Sequence, residues 1–157
     1  MLVSFYSGNA QNYLLPNEQV IFSFMSMNNK KIVLAKDSSD RYIVYRFGTK
    51  NKIELEYPEN KGGDSWKKFT YSYYVRGGGK QNEGLDLNYI YFMKDHYQYI
   101  IYETYFAADE EPRCGIKVID SLTKKMTDTK GIDNSKMGTL NGFRDNQLVK
   151  TSDELFD

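Results

Sequence analysis

The chain has one histidine, His96, and one cysteine, Cys114, so any catalytic machine that needs an imidazole or a thiolate must run through these two residues. His96 follows Asp95 in a predicted turn, where a histidine is more often solvated than catalytic. Cys114 follows Arg113, whose charge could lower the thiol pKa, but a nucleophile also needs a base and exposure. One Cys and one His cannot fill a Cys/His zinc site. Asp37-Ser38-Ser39-Asp40 and Asp109-Glu110-Glu111 are rich in oxygen ligands but lack the spacing of a calcium loop, and they read as solvated turns. Glu54 and Glu56 stand two apart on one predicted strand face, an arrangement found in glycosidases and far more common as ordinary surface. Gly77-Gly78-Gly79-Lys80 invites a phosphate-loop reading, but such a loop needs Ser or Thr directly after the Lys and then a helix, whereas Gln81, Asn82, Glu83 and Gly84 follow. It reads instead as a flexible hairpin or bulge connection. These readings predict a protein that is not an enzyme and holds no cofactor and no metal. An enzyme would require a concave cluster around His96.

The elements that position these residues are predicted to be strands. The chain has 157 residues, of which 14 are Tyr and 9 Phe, and such side chains fit a pleated, half-buried surface. From Gln19 onward, short apolar and aromatic runs alternate with turn residues. Strands are predicted at Val20 to Met27, Lys31 to Lys36, Tyr42 to Phe47, Lys52 to Tyr57, Trp66 to Val75, Asn88 to Met93, Tyr97 to Tyr105, Ile116 to Ile119 and Met126 to Lys130. In Lys52 to Tyr57, Ile53, Leu55 and Tyr57 are expected on one face and the charges on the other. The segments at 88–93 and 97–102 carry aromatics on both faces, which predicts a central hairpin covered on one side and tyrosine-lined on the other. The expected fold is all-β: an antiparallel meander forming a sandwich or flattened barrel of roughly 8–10 strands with little helix. Residues 1–18 are expected to be an irregular N-terminal segment and 19–157 one β-rich domain, its tail from Gly138 irregular with a short helix or strand.

Lys and Arg total 21 and so do Asp and Glu, so no global field holds the chain against a polyanion. This predicts no direct nucleic-acid binding, and no apolar run approaches the roughly 18–20 residues of a membrane helix. A single cysteine suits a reducing compartment, so the expected location is cytoplasmic. The alternative is periplasmic or secreted, should Leu2 to Ala10 before Gln11 be a truncated signal peptide, although it lacks a basic n-region. Within the neutral total the charge is uneven. Lys67, Lys68, Arg76 and Lys80 stand between Trp66 and Lys80 with no acid, while Asp86, Asp95, Glu103, Asp109, Glu110 and Glu111 face a single Lys94 between Asp86 and Glu111. Tyrosine beside charge is common in protein interfaces, and an acidic tyrosine-bearing face could occupy a basic cleft. The stretch Glu103 to Glu111 best fits that role.

Tyr42 to Gly48, Lys52 to Pro58, Trp66 to Gly79 and Gly115 to Val118 resemble blocks of small bacterial β-domain proteins. The overall type, a short neutral chain rich in Tyr and loops with no active-site signature, is similar to the cytoplasmic immunity proteins of bacterial toxin systems, contact-dependent growth inhibition in particular. The resemblance implies a non-enzymatic immunity protein, an antitoxin that binds a cognate protein toxin, typically a basic nuclease, and occludes its active site. It carries over no residue role. The expected contact region on that reading is Tyr97, Tyr99, Tyr102, Glu103, Tyr105, Asp109, Glu110 and Glu111. The alternative is an exported β-domain binding a small molecule, glycan or lysozyme-type ligand in a barrel or cleft.

Overall fold

The computed structural model describes residues 12–157, so the signal-like stretch from Leu2 to Gln11 lies outside the described residues. The chain folds as β1 (Glu18–Met25), β2 (Lys31–Asp37), β3 (Ile43–Thr49), β4 (Lys52–Tyr57), β5 (Thr70–Arg76), β6 (Leu85–Lys94), β7 (Tyr97–Phe106), β8 (Glu111–Asp120), β9 (Met126–Lys130), β10 (Met137–Gly138) and β11 (Lys150–Ser152), with short 3-10 turns between some of them. The first sheet has the order β10-β1-β2-β3-β4 and the second β11-β5-β6-β7-β8-β9. All pairings are antiparallel except β11 on β5. The expected all-β architecture is therefore present, as a sandwich and not a closed barrel.

Every strand predicted from the sequence is present, and β10 and β11 add two short edge strands from the tail. Trp66 is not in a strand: residues Gly63–Lys68 form a 3-10 turn that buries Ser65 and Trp66, and β5 starts at Thr70. The Trp66 indole N–H donates to the Asp40 carbonyl at 2.9 Å, which fixes this turn under the β2–β3 loop.

Period-two alternation sends one set of side chains from each sheet into a shared core. Phe22, Phe24, Ile32, Leu34, Ile43 and Tyr45 come from the first sheet, and Tyr71, Ile90, Phe92, Ile101 and Ile116 from the second. Tyr57 and Tyr99 stack on opposite sides of Phe92 with ring centroids 4.1 and 5.0 Å away, contacts worth about 0.5–1.5 kcal/mol each beyond their area. The alternation in β4 breaks where the register shifts opposite Phe47 and Gly48. Leu55 and Tyr57 face the core as expected, but Ile53 packs with Tyr13, Val33 and Val44 on the outer face. A Cβ at Gly48 would collide with the Lys52 carbonyl, so the residue type permits the shift.

Both outer faces are covered by chain ends of the described segment. Tyr13 and Leu14 lie on the first sheet, where the Tyr13 hydroxyl bonds the Thr49 carbonyl at 2.6 Å. Arg46, 2% exposed, anchors this cover: it meets both oxygens of buried Glu18 at 2.5 and 2.9 Å, Glu56 at 2.6 Å and the Tyr13 carbonyl at 2.8 Å. Phe156 covers the second sheet, against Tyr89 and Tyr91. At one corner the sheets are joined by a bridge between Ser26 and Gly131, flanked by Met27 N–H to Lys130 carbonyl and Ile132 N–H to Met25 carbonyl, both 2.8 Å.

Candidate partner-binding surface

At one end of β5 to β8 the inner face leaves the core and meets solvent. Registers place Tyr71, Ile90, Ile101 and Ile116 in one cross-strand row, Tyr73, Asn88, Glu103 and Cys114 in the next, and Val75, Asp86, Tyr105 and Pro112 in the last. The first row is core. The other two carry Tyr73 at 46% exposed, Val75 at 49% and Tyr105 at 39%. Exposed aromatic and β-branched side chains on a rigid sheet are typical anchors of protein interfaces.

Charged groups frame this patch and are themselves bonded. Arg144, from the 3-10 turn Asn141–Asp145, lies over the Tyr73 ring with its guanidinium carbon 5.1 Å from the centroid. It donates to Asp86 at 2.6 Å and to Asn88 at 3.0 Å, while Asn88 accepts from the Tyr71 hydroxyl at 2.6 Å. Burial raises the Tyr71 phenol to about 12, partly offset by Arg144. Glu103 accepts from Lys136 Nζ at 2.7 Å, Thr139 Oγ1 at 2.8 Å and Leu140 N–H at 2.7 Å, which pins the segment before the last 3-10 turn to β7. The cleft between Glu103, Tyr105, Pro112 and Asn141 holds only about 90 Å³, too shallow to enclose a drug-sized ligand.

The expected contact residues do not form one face. Glu103, Tyr105, Asp109, Glu110 and Glu111 are brought together at this end of the second sheet. Tyr97 sits at the opposite end of β7, about 26 Å away at the usual strand rise. Tyr99 is packed into the core against Phe92 and Tyr45. Tyr102 has the other parity and lies buried on the outer face, with its hydroxyl bonded to Asp128 at 3.0 Å. Tyr73, Val75 and Arg144 were not singled out from the sequence, and Asp86 entered only as one member of the acidic stretch. Alternation from buried Tyr71 through Tyr73 to Val75 could have flagged the first two, whereas nothing local points to Arg144.

The charge segregation of the sequence dissolves in space. The β5–β6 and β7–β8 connections are neighbours, joined by Ala107 N–H to the Gly84 carbonyl at 2.9 Å. Lys80 of the Gly-rich loop pairs with Glu110 at 3.7 Å, Arg113 bonds Asp109 and stands 3.8 Å from Glu111, and Arg76 stands 3.8 Å from Glu83. The acidic corner is thus a mixed-charge rim beside the aromatic patch.

The remaining candidates for chemistry are dispersed. His96 lies in the β6–β7 turn with its ring 4.1 Å from that of Tyr97, and Cys114 is opposite Glu103, seven residues along β7, or about 23 Å. Cys114 is buried, and burial first, with Asp133 adding to it, pushes its thiol up to about 11. Arg113 projects to the opposite face and does not lower it. Asp37 is knotted into its own loop by Arg41 at 2.7 and 2.9 Å and Asn17 at 2.8 Å, which hold its carboxyl well below the usual range. Among the described residues no cluster of His, Cys, Asp and Glu has the geometry to hold a metal ion, and no helix is long and apolar enough to cross a membrane. No family model matches the chain, and neither a curated protein nor a solved structure matches it.

Proposed function

We propose that the chain is a non-enzymatic binding domain that docks a protein partner on the open end of its second sheet, in the manner of an immunity protein occluding a cognate toxin. The observation that carries this reading is the pairing of exposed Tyr73, Val75 and Tyr105 in adjacent rows with a rim of bonded charges. Tyrosines on a sheet are already ordered by their neighbours, so they supply contact area with little loss of rotamer freedom. The rim ion pairs, being solvent-exposed, act on register and encounter rate more than on affinity. The partner this favours has an apolar or aromatic centre and basic groups placed for Asp109, Glu110 and Glu111.

The test is co-purification of a tagged chain from its native cells, run beside the Tyr73→Ala/Tyr105→Ala variant. A stoichiometric protein partner is expected with the unaltered chain and is expected to be lost, by about 2 kcal/mol or more of binding energy, from a variant with an unchanged melting temperature. Equal recovery with both chains would remove this surface from the account. Toxicity of the partner alone, relieved by co-expression of the chain, would make the role that of an immunity protein.

A second reading is favoured by one feature. An apolar groove of about 450 Å³ lies on the first sheet's outer face between Tyr13, Leu14, Val20, Met25, Val33 and Met137, with Lys31 and Lys50 at its rim. That volume lies in the range of small-molecule sites. Saturable binding of an anionic amphiphile, weakened by Val33→Glu, would favour a ligand-binding domain.

A further inference from the structure

The outer face of the second sheet is covered by the chain's own segment 153–157. Phe156 sits edge-on to Tyr89 and Tyr91, with ring centroids 5.4 and 4.9 Å away, over a floor completed by Leu87, Ile100 and Tyr102. Lys117, projecting from β8 on the same face, donates to the Phe156 carbonyl and stands 3.6 Å from the Asp157 carboxylate. The floor is an aromatic box with a cation at its edge, and it is filled by an aromatic side chain followed by a carboxylate.

The fit is incomplete. The row Ser152, Ser72, Tyr89 and Tyr102 runs across this face, and one of its hydroxyls, Ser72 Oγ, is fully buried without a hydrogen-bond partner. A buried hydroxyl left unbonded loses its hydration without compensation. The bond from the Tyr91 hydroxyl to Glu154 is long, at 3.4 Å, and beyond Ser152 the segment has no strand pairing to hold it. A segment with a better-placed acceptor would keep the aromatic contact and also satisfy Ser72.

We propose that this face is a second docking site, separate from the open-end patch, which takes in trans a partner peptide bearing an aromatic side chain next to a carboxylate and is covered meanwhile by residues 153–157. The cover acts as an intramolecular competitor, so apparent affinity falls by the fraction of molecules in which the face is open.

A fluorescein-labelled peptide of the sequence 150–157, Lys-Thr-Ser-Asp-Glu-Leu-Phe-Asp, is titrated by anisotropy against the full chain, its Phe156→Ala variant and its Glu154→Gln/Asp157→Asn variant. The last changes only exposed tail charges and remains informative should Phe156→Ala not fold. Expected is binding at least about tenfold tighter to the loosened variants than to the unaltered chain, lost again when Lys117→Glu is added and unchanged when Tyr73→Ala/Tyr105→Ala is added. Folded variants that bind no peptide, or binding indifferent to Lys117→Glu, would overturn the proposal. So would light scattering showing a dimer that depends on Phe156, because the occupant in trans would then be a second copy's tail.

Discussion

Arg46 is the residue on which the first sheet's cover depends. Burial alone would raise the Glu18 carboxyl, but hydrogen bonds from Arg46, Leu15 N–H and Tyr42 outweigh it and hold the group below its ordinary value. Removing one partner of a buried ion pair leaves the other charge unpaired, at about 3–5 kcal/mol. Arg46→Met is therefore expected to lower the unfolding free energy by that amount in urea, and the double variant Arg46→Met/Glu18→Leu to recover part of it. A double variant no more stable than the single would mean that Glu18 is not stranded by the loss of Arg46. A lone arginine inside Tyr42-Ile43-Val44-Tyr45-Arg46-Phe47 was a visible signal of a buried charge, but its partner lies 28 residues away and strand periodicity says nothing about who meets whom across a sheet. The same limit hid Arg144, whose contacts with Asp86 and Asn88 span more than fifty residues.

At the scale of the element, alternation and turn chemistry made the strands legible, and strand bounds at 52–57 and 126–130 agree with the sequence reading. What alternation could not give is which face is covered, or by what. Alternation puts Tyr99 and Tyr102 on opposite faces of β7, but which of the two is core and which lies under the tail is decided by the partner sheet. The β4 bulge likewise follows from Gly48, which no period-two pattern announces. β10 is only two residues long, and it exists because Gly138, at φ 75°, can approach the Ile21 carbonyl where a Cβ would collide. Gly138→Ala is expected to free residues 133–140 from β1, seen as accelerated amide exchange at Thr139 with the second sheet's amides unchanged. Retained protection at Thr139 would show that β10 does not depend on this close approach.

For the whole molecule, neutrality and interleaved ion pairs leave stability to groups at the two pH extremes. Glu18, Asp37 and Glu56 have folded pKa values held below their ordinary ones, so their contribution is present above the carboxylate range and is lost as pH falls through the lowered values. Cys114 and Tyr71 are raised, to about 11 and about 12, so theirs is complete below the unfolded values and is lost as pH rises through those figures. The melting temperature is expected to be flat from roughly pH 5 to 8 and to fall on both sides, with Cys114→Ser flattening the start of the alkaline limb. A maximum confined to one side of this window would contradict the assignment. The mixed rim makes a related prediction: Asp109→Lys/Glu110→Lys/Glu111→Lys should slow association with a basic partner and weaken the salt dependence of its on-rate, leaving dissociation little changed. An unaltered on-rate would place the rim outside the encounter surface.

The cover formed by Phe156 also has an order in time. The tyrosine face it shields is complete once β9 has been synthesised to Lys130, but Phe156 follows only 26 residues later, or about 1–5 s at about 5–20 residues per second. Throughout that interval the nascent sandwich presents a bare aromatic surface, open to a chaperone or to aggregation, and closing it must follow the formation of the sheet it covers.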